Sequence, residues 1–303
     1  MRILVTGGTG FVGRCVASSL LAQGHEVFIC NRSAALIPGC RTIAMDLLRD
    51  GTADALIGVI KPEVILHLAW YVEHGKFWSA PENVDWTIAT LRLISAARQA
   101  GVRRIVCVGT CMEYDSLSAG VCSEATTEIK PATLYAISKD GTRRVAEEFA
   151  TASGIEFAWG RLFFLFGPHE VPTRLVSSIS LNLLSGRPAP ISSGRQVRDF
   201  IDVRDAGEAL AALAISNVGG AVNIGSGIPL QIADLAEKIR LAAGGGDLRF
   251  NALPDRPDDP ACVVADISRL RDEVGYRPQR TLDASISETV DWWRYQLHAQ
   301  VAH

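Results

Sequence analysis

An α/β fold built on a doubly wound parallel sheet is what this 303-residue sequence predicts. Three observations point that way. The chain opens on an apolar run, Ile3-Leu4-Val5, followed by Gly7, Gly10 and Gly13, and Val12, Val16 and Leu20 then recur at helical spacing. Further short apolar runs at 27–30, 64–69 and 104–108 read as buried strands, with a helical stretch at 83–100 between the last two. The composition, 48% hydrophobic and 21% charged, is that of a packed chain and excludes a disordered one.

The first strand, its glycine turn and the helix after it form a phosphate-binding unit. Residues without Cβ let backbone N–H groups approach a pyrophosphate, and the helix N-terminus adds partial positive charge. Gly7, Gly10 and Gly13, with the backbone of Phe11 and Val12, are therefore read as a dinucleotide-binding turn, spaced G-x-x-G-x-x-G, and Gly24 stops the helix. The second strand ends at Asn31-Arg32-Ser33, where such a fold reads the adenosine ribose. An acid there would bond the 2′-hydroxyl of NAD, whereas an arginine pairs with the 2′-phosphate of NADP. Asn31, Arg32 and the lack of an acid at 31–33 favour NADP, with NAD as the alternative and a plain surface arginine as the bland reading. Asp46 and Leu47 follow the apolar stretch at 42–45 and are placed for the adenine, while Asp46 equally suits a turn cap.

The strand at 64–69 carries a lone His67, read as a packed core residue, and ends in Leu68 and Ala69 beside the nucleotide crevice. The loop at 70–78 is dense in aromatics and carries His74; it either contacts substrate or lies on the core as an aromatic lid. Asn83 opens a helix stopped by Gly101, and the next strand ends at Gly109-Thr110.

Several function classes drop out. A net charge of −3 without a basic stripe gives no attraction to nucleic acid. No apolar run reaches the length of a membrane span, and a strand starting at residue 2 leaves no signal peptide. Seven cysteines, an odd number without a C-x-x-C pair, fit a reducing cytoplasm, the expected location. The six histidines form no metal-binding cluster.

Tyr135-Ala136-Ile137-Ser138-Lys139 begins a helix running to about residue 153. A Tyr and a Lys four residues apart share a helix face. A free phenol, with a pKa of about 10, is a poor base at neutral pH, and a nearby ammonium brings it toward that range. Taken alone, Y-x-x-x-K is equally an ordinary amphipathic helix.

The glycine turn, Thr110 after its strand and Tyr135-x-x-x-Lys139 together resemble the extended short-chain dehydrogenase/reductase family, in its nucleotide-sugar epimerase, dehydratase and reductase branch. The similarity extends through Asn83-Val84, Arg161 to Gly167-Pro168, Arg198-Asp199-Phe200-Ile201-Asp202-Val203-x-Asp205, Asn223-Ile224-Gly225, and the late Arg256-Pro257 to Tyr276-x-Pro278 run. The resemblance implies a Rossmann-like doubly wound parallel sheet with a smaller C-terminal substrate-binding region. Residues 1–163, joined by a strand from about 195–225, would form the dinucleotide-binding domain, and 164–303 mainly the substrate region. It implies Tyr135 as general acid/base, Lys139 on the nicotinamide ribose, and Thr110 on the reacting oxygen. Arg198 and Arg256 would hold the nucleotide of a nucleotide-diphosphate sugar, with salt bridges to Asp199 or Asp255 as the alternative, and His74 and Glu113 would face substrate. A homodimer through the Asn83 and Tyr135 helices is implied as well.

Two departures stand out: Phe164 and Phe166 replace the Asn and Tyr of the branch's R-x-x-N-x-Y-G-P segment, and Cys111-Met112-Glu113 follows Thr110 in place of the small polar residues of its epimerases, with Glu113 alone acidic where its dehydratases carry an acidic pair. The expectation is an NADP-dependent reductase of a nucleotide-linked 4-keto, 6-deoxy sugar. The alternatives are an NAD-dependent 4-epimerase and, remotely, a non-catalytic dinucleotide sensor, whose mark would be loss of Tyr135 or Lys139.

Overall fold

The computed structural model describes residues 1–33, 35–115, 120–256 and 259–301; Pro257 of the C-terminal motif lies outside the described residues. The chain runs β1 (Arg2–Thr6), α1 (Phe11–Ala22), β2 (Glu26–Asn31), β3 (Arg41–Ala44), α2 (Thr52–Ile60), β4 (Val64–His67), α3 (Glu82–Gln99) and β5 (Arg104–Thr110). A one-turn 3-10 helix, Cys111–Glu113, leads to β6 (Val121–Cys122), α4 (Leu134–Ser153), β7 (Glu156–Leu162), β8 (Phe164–Phe166) and α5 (Leu175–Leu184). The remainder is β9 (Ala189–Pro190), β10 (Val197–Asp202), α6 (Val203–Ile215), β11 (Gly220–Ile224), β12 (Pro229–Gln231) and α7 (Ile232–Ala243). Then come β13 (Leu248–Arg249), β14 (Cys262–Ala265), α8 (Ser268–Asp272) and α9 (Leu282–Val301).

Among the described residues, seven strands pair in parallel in the order β11-β7-β5-β4-β1-β2-β3. The period-2 alternation of a strand explains why these runs are apolar throughout. Ile3 and Val5 point into one core layer with Val16 and Leu20 of α1 and Ala206 and Leu210 of α6, whereas Leu4 between them enters the other layer with Leu56 of α2, Leu93 of α3 and Ala146 of α4. The sheet is covered on both faces, as predicted.

The strand order reverses between β1 and β4. Chain segments leaving their C-terminal ends, Gly7 onward and Leu68-Ala69, diverge there and open a crevice. A second sheet, β12-β10-β14-β6 with β8 beside β10, stands over that crevice, and α5, α7 and α9 pack a third core behind it. Within 195–225, β11 joins the large sheet while β10 lies in the second one. Helix α2 between β3 and β4 goes beyond the sequence reading; Gly58 inside it weakens the local helix signal, and burial of Leu56, Ile57 and Ile60 supplies what propensity lacks.

His67 is a core residue, 3% exposed, on β4. Thr90 donates its own hydroxyl proton to Trp86 O at 2.7 Å, so its Oγ1 accepts from His67 Nε2 at 2.9 Å. Nδ1 is then left to accept from Thr6 Oγ1 at 2.7 Å. Burial, with Lys139 adding to it, pushes the imidazole pKa down to about 3. The folded value lies below the unfolded one, so the unfolded chain takes up the proton first and stability is lost as pH falls below about 6.5. Between pH 6.5 and 5 this one group is expected to cost about 2 kcal/mol. His67→Gln should flatten the acid slope by that amount in urea unfolding; equal slopes for the two chains would refute it.

Candidate active site

A cavity of about 750 Å³ occupies the crevice between the large sheet and the C-terminal region. Its floor is the glycine turn. Gly7 has φ +69°, and a Cβ on it would sit 3.0 Å from Ala69 N. A Cβ on Gly13 would fall 2.2 Å from Gly7 O and 2.6 Å from Gly8 Cα, so no larger residue lets the helix approach the turn. Gly10 caps α1 without any side-chain bond, which leaves the first-turn N–H groups of Phe11 and Val12 directed at the cavity they line. That cradle fits the pyrophosphate of a dinucleotide. Asn31, Arg32 and Leu47 line the same cavity at the ends of β2 and β3, and Leu68 and Ala69 line it past β4.

Asp46 stands between the cavity-lining Met45 and Leu47, and its carboxylate accepts from Leu48 N at 3.2 Å, the turn-capping alternative read from the sequence. Arg32 is exposed at the cavity wall and has no salt-bridge partner among the described residues.

Thr110, Tyr135 and Lys139 converge at the middle of the cavity. Thr110 ends β5 and caps the 3-10 turn: its Oγ1 accepts from Met112 N at 3.3 Å, which frees its own O–H to donate. Tyr135 and Lys139 stand one turn apart on α4, whose N-terminus is fixed by Thr133 Oγ1 accepting from Ala136 N at 3.2 Å. Lys139 donates to Val108 O at 2.8 Å and lies 3.7 Å from the Trp70 ring centroid. Trp70 is itself held by its indole N–H on Asn83 Oδ1 at 2.8 Å.

The electrostatics differ from the sequence expectation. Burial, then the Glu113 carboxylate, pushes the Tyr135 phenol well above its ordinary value, and the hydrogen-bonded Thr110 hydroxyl only partly opposes them. Lys139 does not draw the phenol down here, because with its own pKa near 7 the amine is already neutral at the pH where the phenol would ionise. Burial in turn lowers Lys139 to about 7, against the opposing pull of Glu113. Tyr135 therefore carries its proton at neutral pH.

Glu113 departs from the sequence reading. It is fully buried, pairs with Arg161 at 2.7 Å and does not line the cavity, so it cannot touch substrate. His74 does line it, with Nδ1 3.0 Å from Thr173 Oγ1, and its pKa is lowered by burial, Arg174 and Arg256. Arg198 of β10 and Arg256 line the cavity as well. The partner of Arg198 is Asp259 at 2.7 Å, not Asp199, whose carboxylate instead accepts from Ser226 N, Gly227 N and Ala265 N. Asp255 accepts from Ser193 N and Gln196 Nε2, leaving Arg256 without it.

Sequence reasoning missed Arg174 and Glu170. Both line the cavity, and Arg174 acts electrostatically on Tyr135. Glu170, held by the Ser177 hydroxyl at 2.7 Å, is pushed up to about 7 by burial. Their only signal was position after Gly167-Pro168, which does not separate them from surface charges. The aromatic loop does contact the site: Phe77 meets the Tyr135 ring edge-on at 4.8 Å and Trp78 at 6.0 Å. Among the described residues, no helix is long and apolar enough to cross a membrane.

The sequence model of the NAD dependent epimerase/dehydratase family matches residues 3–225. The chain is 27% identical to dTDP-glucose 4,6-dehydratase of an Actinoplanes species over 97% of its own length and 98% of the relative's. It is 30% identical to UDP-glucuronic acid decarboxylase 1 of Xenopus tropicalis, over 99% of this chain and 73% of that one. Among solved structures, the Thermus thermophilus UDP-glucose 4-epimerase complex with NAD superposes with a TM-score of 0.86 at 25% identity, over 97% of this chain and 99% of that one. With a match spanning most of its length and relatives similar from end to end, the chain belongs to the NAD-dependent epimerase/dehydratase family.

Proposed function

We propose that the protein is an NADP-dependent reductase of a nucleotide-linked 4-keto-6-deoxy sugar. The observation that carries this is the meeting of Thr110, Tyr135 and Lys139 in one cavity with the glycine cradle, which places a proton donor and a dinucleotide site side by side. A dinucleotide bound on the cradle, with Lys139 reaching its ribose, would supply hydride to the carbonyl carbon. The chain's own residues do the rest. Thr110 donates a hydrogen bond to the carbonyl oxygen, and Tyr135 gives that oxygen its proton as negative charge develops there. The phenolate left behind is reprotonated from solvent.

A phenol that keeps its proton at neutral pH suits a reaction that begins with proton donation. Phe77, Trp78, Met112 and Phe163 give the reacting end an apolar wall that suits a methyl group better than a hydroxymethyl or a carboxylate. Arg198 and Arg256 in the cavity lining suit a diphosphate, which a guanidinium binds bidentately. Arg32, with no acid at 31–33, supports NADP. A second reading, an NAD-dependent 4-epimerase, is favoured by the NAD in the related epimerase complex. A dehydratase would carry an acidic pair just after Thr110, and here only Glu113 is acidic, with Met112 before it. Exposed Val84 and Ile88 on α3 and Ile137 and Val145 on α4, helices that pack together, support a homodimer across this face. Val145→Glu should then sediment as a monomer where the native chain is a dimer.

Tyr135→Phe should lower kcat on accepted 4-keto substrates by about 10²–10⁴-fold; an unchanged rate would remove the assignment. Lys139→Met should lose activity to a similar extent while melting no lower than the native chain at pH 7. The folded Lys139 pKa lies below the unfolded one, so the buried ammonium costs stability at low pH, and that cost is relieved as pH rises from about 7 toward 10.5. A lower melting point with activity retained would reverse the picture. Arg32→Ala should weaken NADPH binding about 10–100-fold and leave NADH nearly unchanged, the loss of one charge-assisted contact. Equal effects on both cofactors, or stoichiometric NAD released from denatured native protein, would favour the epimerase.

A further inference from the structure

We propose that Glu113 is a positioning residue that fixes Thr110 and sets the electrostatics of the Tyr135–Lys139 pair, through a buried anchor shared with Gly109, Trp159 and Arg161. The inference rests on reading Tyr135 as the proton donor.

The anchor is tightly built. Glu113 Oε1 accepts from Thr110 N at 2.9 Å and from Trp159 Nε1 at 3.0 Å, and Oε2 accepts from Arg161 Nε at 2.7 Å. Arg161 also donates to Tyr114 Oη at 3.1 Å, and that hydroxyl donates to Asn223 Oδ1 at 2.8 Å. Gly109 is what makes room. A Cβ there would lie 2.0 Å from Trp159 Nε1 and 2.3 Å from Glu113 Oε1, so the carboxylate and the indole occupy the space a side chain at 109 would take. The backbone of the reacting threonine thus hangs directly on the carboxylate.

Stability alone gives no reason for this pair. A buried ion pair is often matched or bettered by apolar residues of the same volume, because desolvation offsets the attraction. What the carboxylate adds is charge in a dry place beside two proton-bearing groups. Tyr135 is faced by Glu113 and Cys111 from the 3-10 turn, by Thr110, and by Arg174 from the start of α5. Lys139 is faced by Glu113, by Cys107 of β5 and by His67 of β4. Burial pushes the Cys107 thiol up to about 12 and Cys111 higher still, and it keeps His67 neutral, so none of the three carries charge near pH 7. Among the described residues, Glu113 is therefore the one anion acting on both. A nearby negative charge disfavours phenolate and favours ammonium. It keeps the proton on Tyr135 and holds Lys139 partly charged despite its burial.

The test needs no substrate. The chain has five lysines, so selective ¹³Cε-lysine labelling gives a short NMR spectrum in which Lys139→Arg identifies the Lys139 signal. Glu113→Gln keeps an acceptor for Thr110 N and Trp159 but removes the charge. The Lys139 midpoint, near 7 in the native chain, should fall by about one pH unit or more, and Glu113→Asp should restore most of it. Should Glu113→Gln fail to fold because Arg161 is left unpaired, the double variant with Arg161→Met carries no unpaired charge, and a fall in the same direction but smaller is read there, since a cation 2.7 Å from the carboxylate leaves with it. A Lys139 midpoint that stays in place in a folded variant overturns the proposal. The proton-donor reading falls separately, on a Tyr135→Phe chain that retains full activity.

Discussion

The contact on which the rest of this molecule depends is the approach of helix α1 to the glycine turn. Gly13 lies against Gly7 O and Gly8 Cα at distances that exclude any Cβ, so the helix N-terminus sits directly over the end of β1. From there the geometry follows. Helix α1 packs against α6 on one face of the sheet, and the β1 and β4 ends part at the strand-order reversal. The cavity is the space the two segments leave. Its floor is partial positive charge from unpaired N–H groups, and its middle is lined by the residues on β5 and α4 that carry the chemistry.

The reacting end is a dry electrostatic cluster laid on that frame. Lys139 is held by a carbonyl and an indole face, and Tyr135 packs against Phe77 and Trp78. In such surroundings a charge several ångströms away matters more than it would in solvent. The cavity thus joins two kinds of lining: aromatic rings around the proton-donating group, and the arginines Arg174, Arg198 and Arg256.

Much of this is legible in the chain. Strands β1, β2, β4 and β5 announce themselves as apolar runs, and the glycine turn and the Tyr135–Lys139 spacing carry their chemistry in residue type and interval. What is not legible depends on contacts distant in sequence. Glu113 reads as a polar residue near a catalytic threonine, and only its pairing with Arg161, 48 residues on, turns it inward. Arg198 differs from expectation in its partner for the same reason: a charged group's use is decided by which carboxylate the fold brings to it. Helix α2 escapes a sequence reading because burial, not propensity, makes it. The departure at Phe164 becomes intelligible only in place, where its ring lies 5.5 Å from the Arg198 guanidinium and 5.9 Å from Phe200.

The last helix carries a consequence for how this protein can be recombined. Trp293 on α9 donates to Ser177 Oγ at 3.2 Å, the same hydroxyl that holds Glu170, while Trp292 packs on His169 at 4.8 Å. His169 has φ +71°, a backbone state a histidine adopts only where its surroundings impose it. The cavity wall after Gly167-Pro168 is therefore shaped by residues more than a hundred positions later. A chimera joined near residue 225, where the match to the family model ends, would bring a foreign α9 against a native α5 and misshape the wall. A productive exchange has to move 164–202 and 229–301 as one block, although α6 and β11, which belong with the other half, lie between them in sequence.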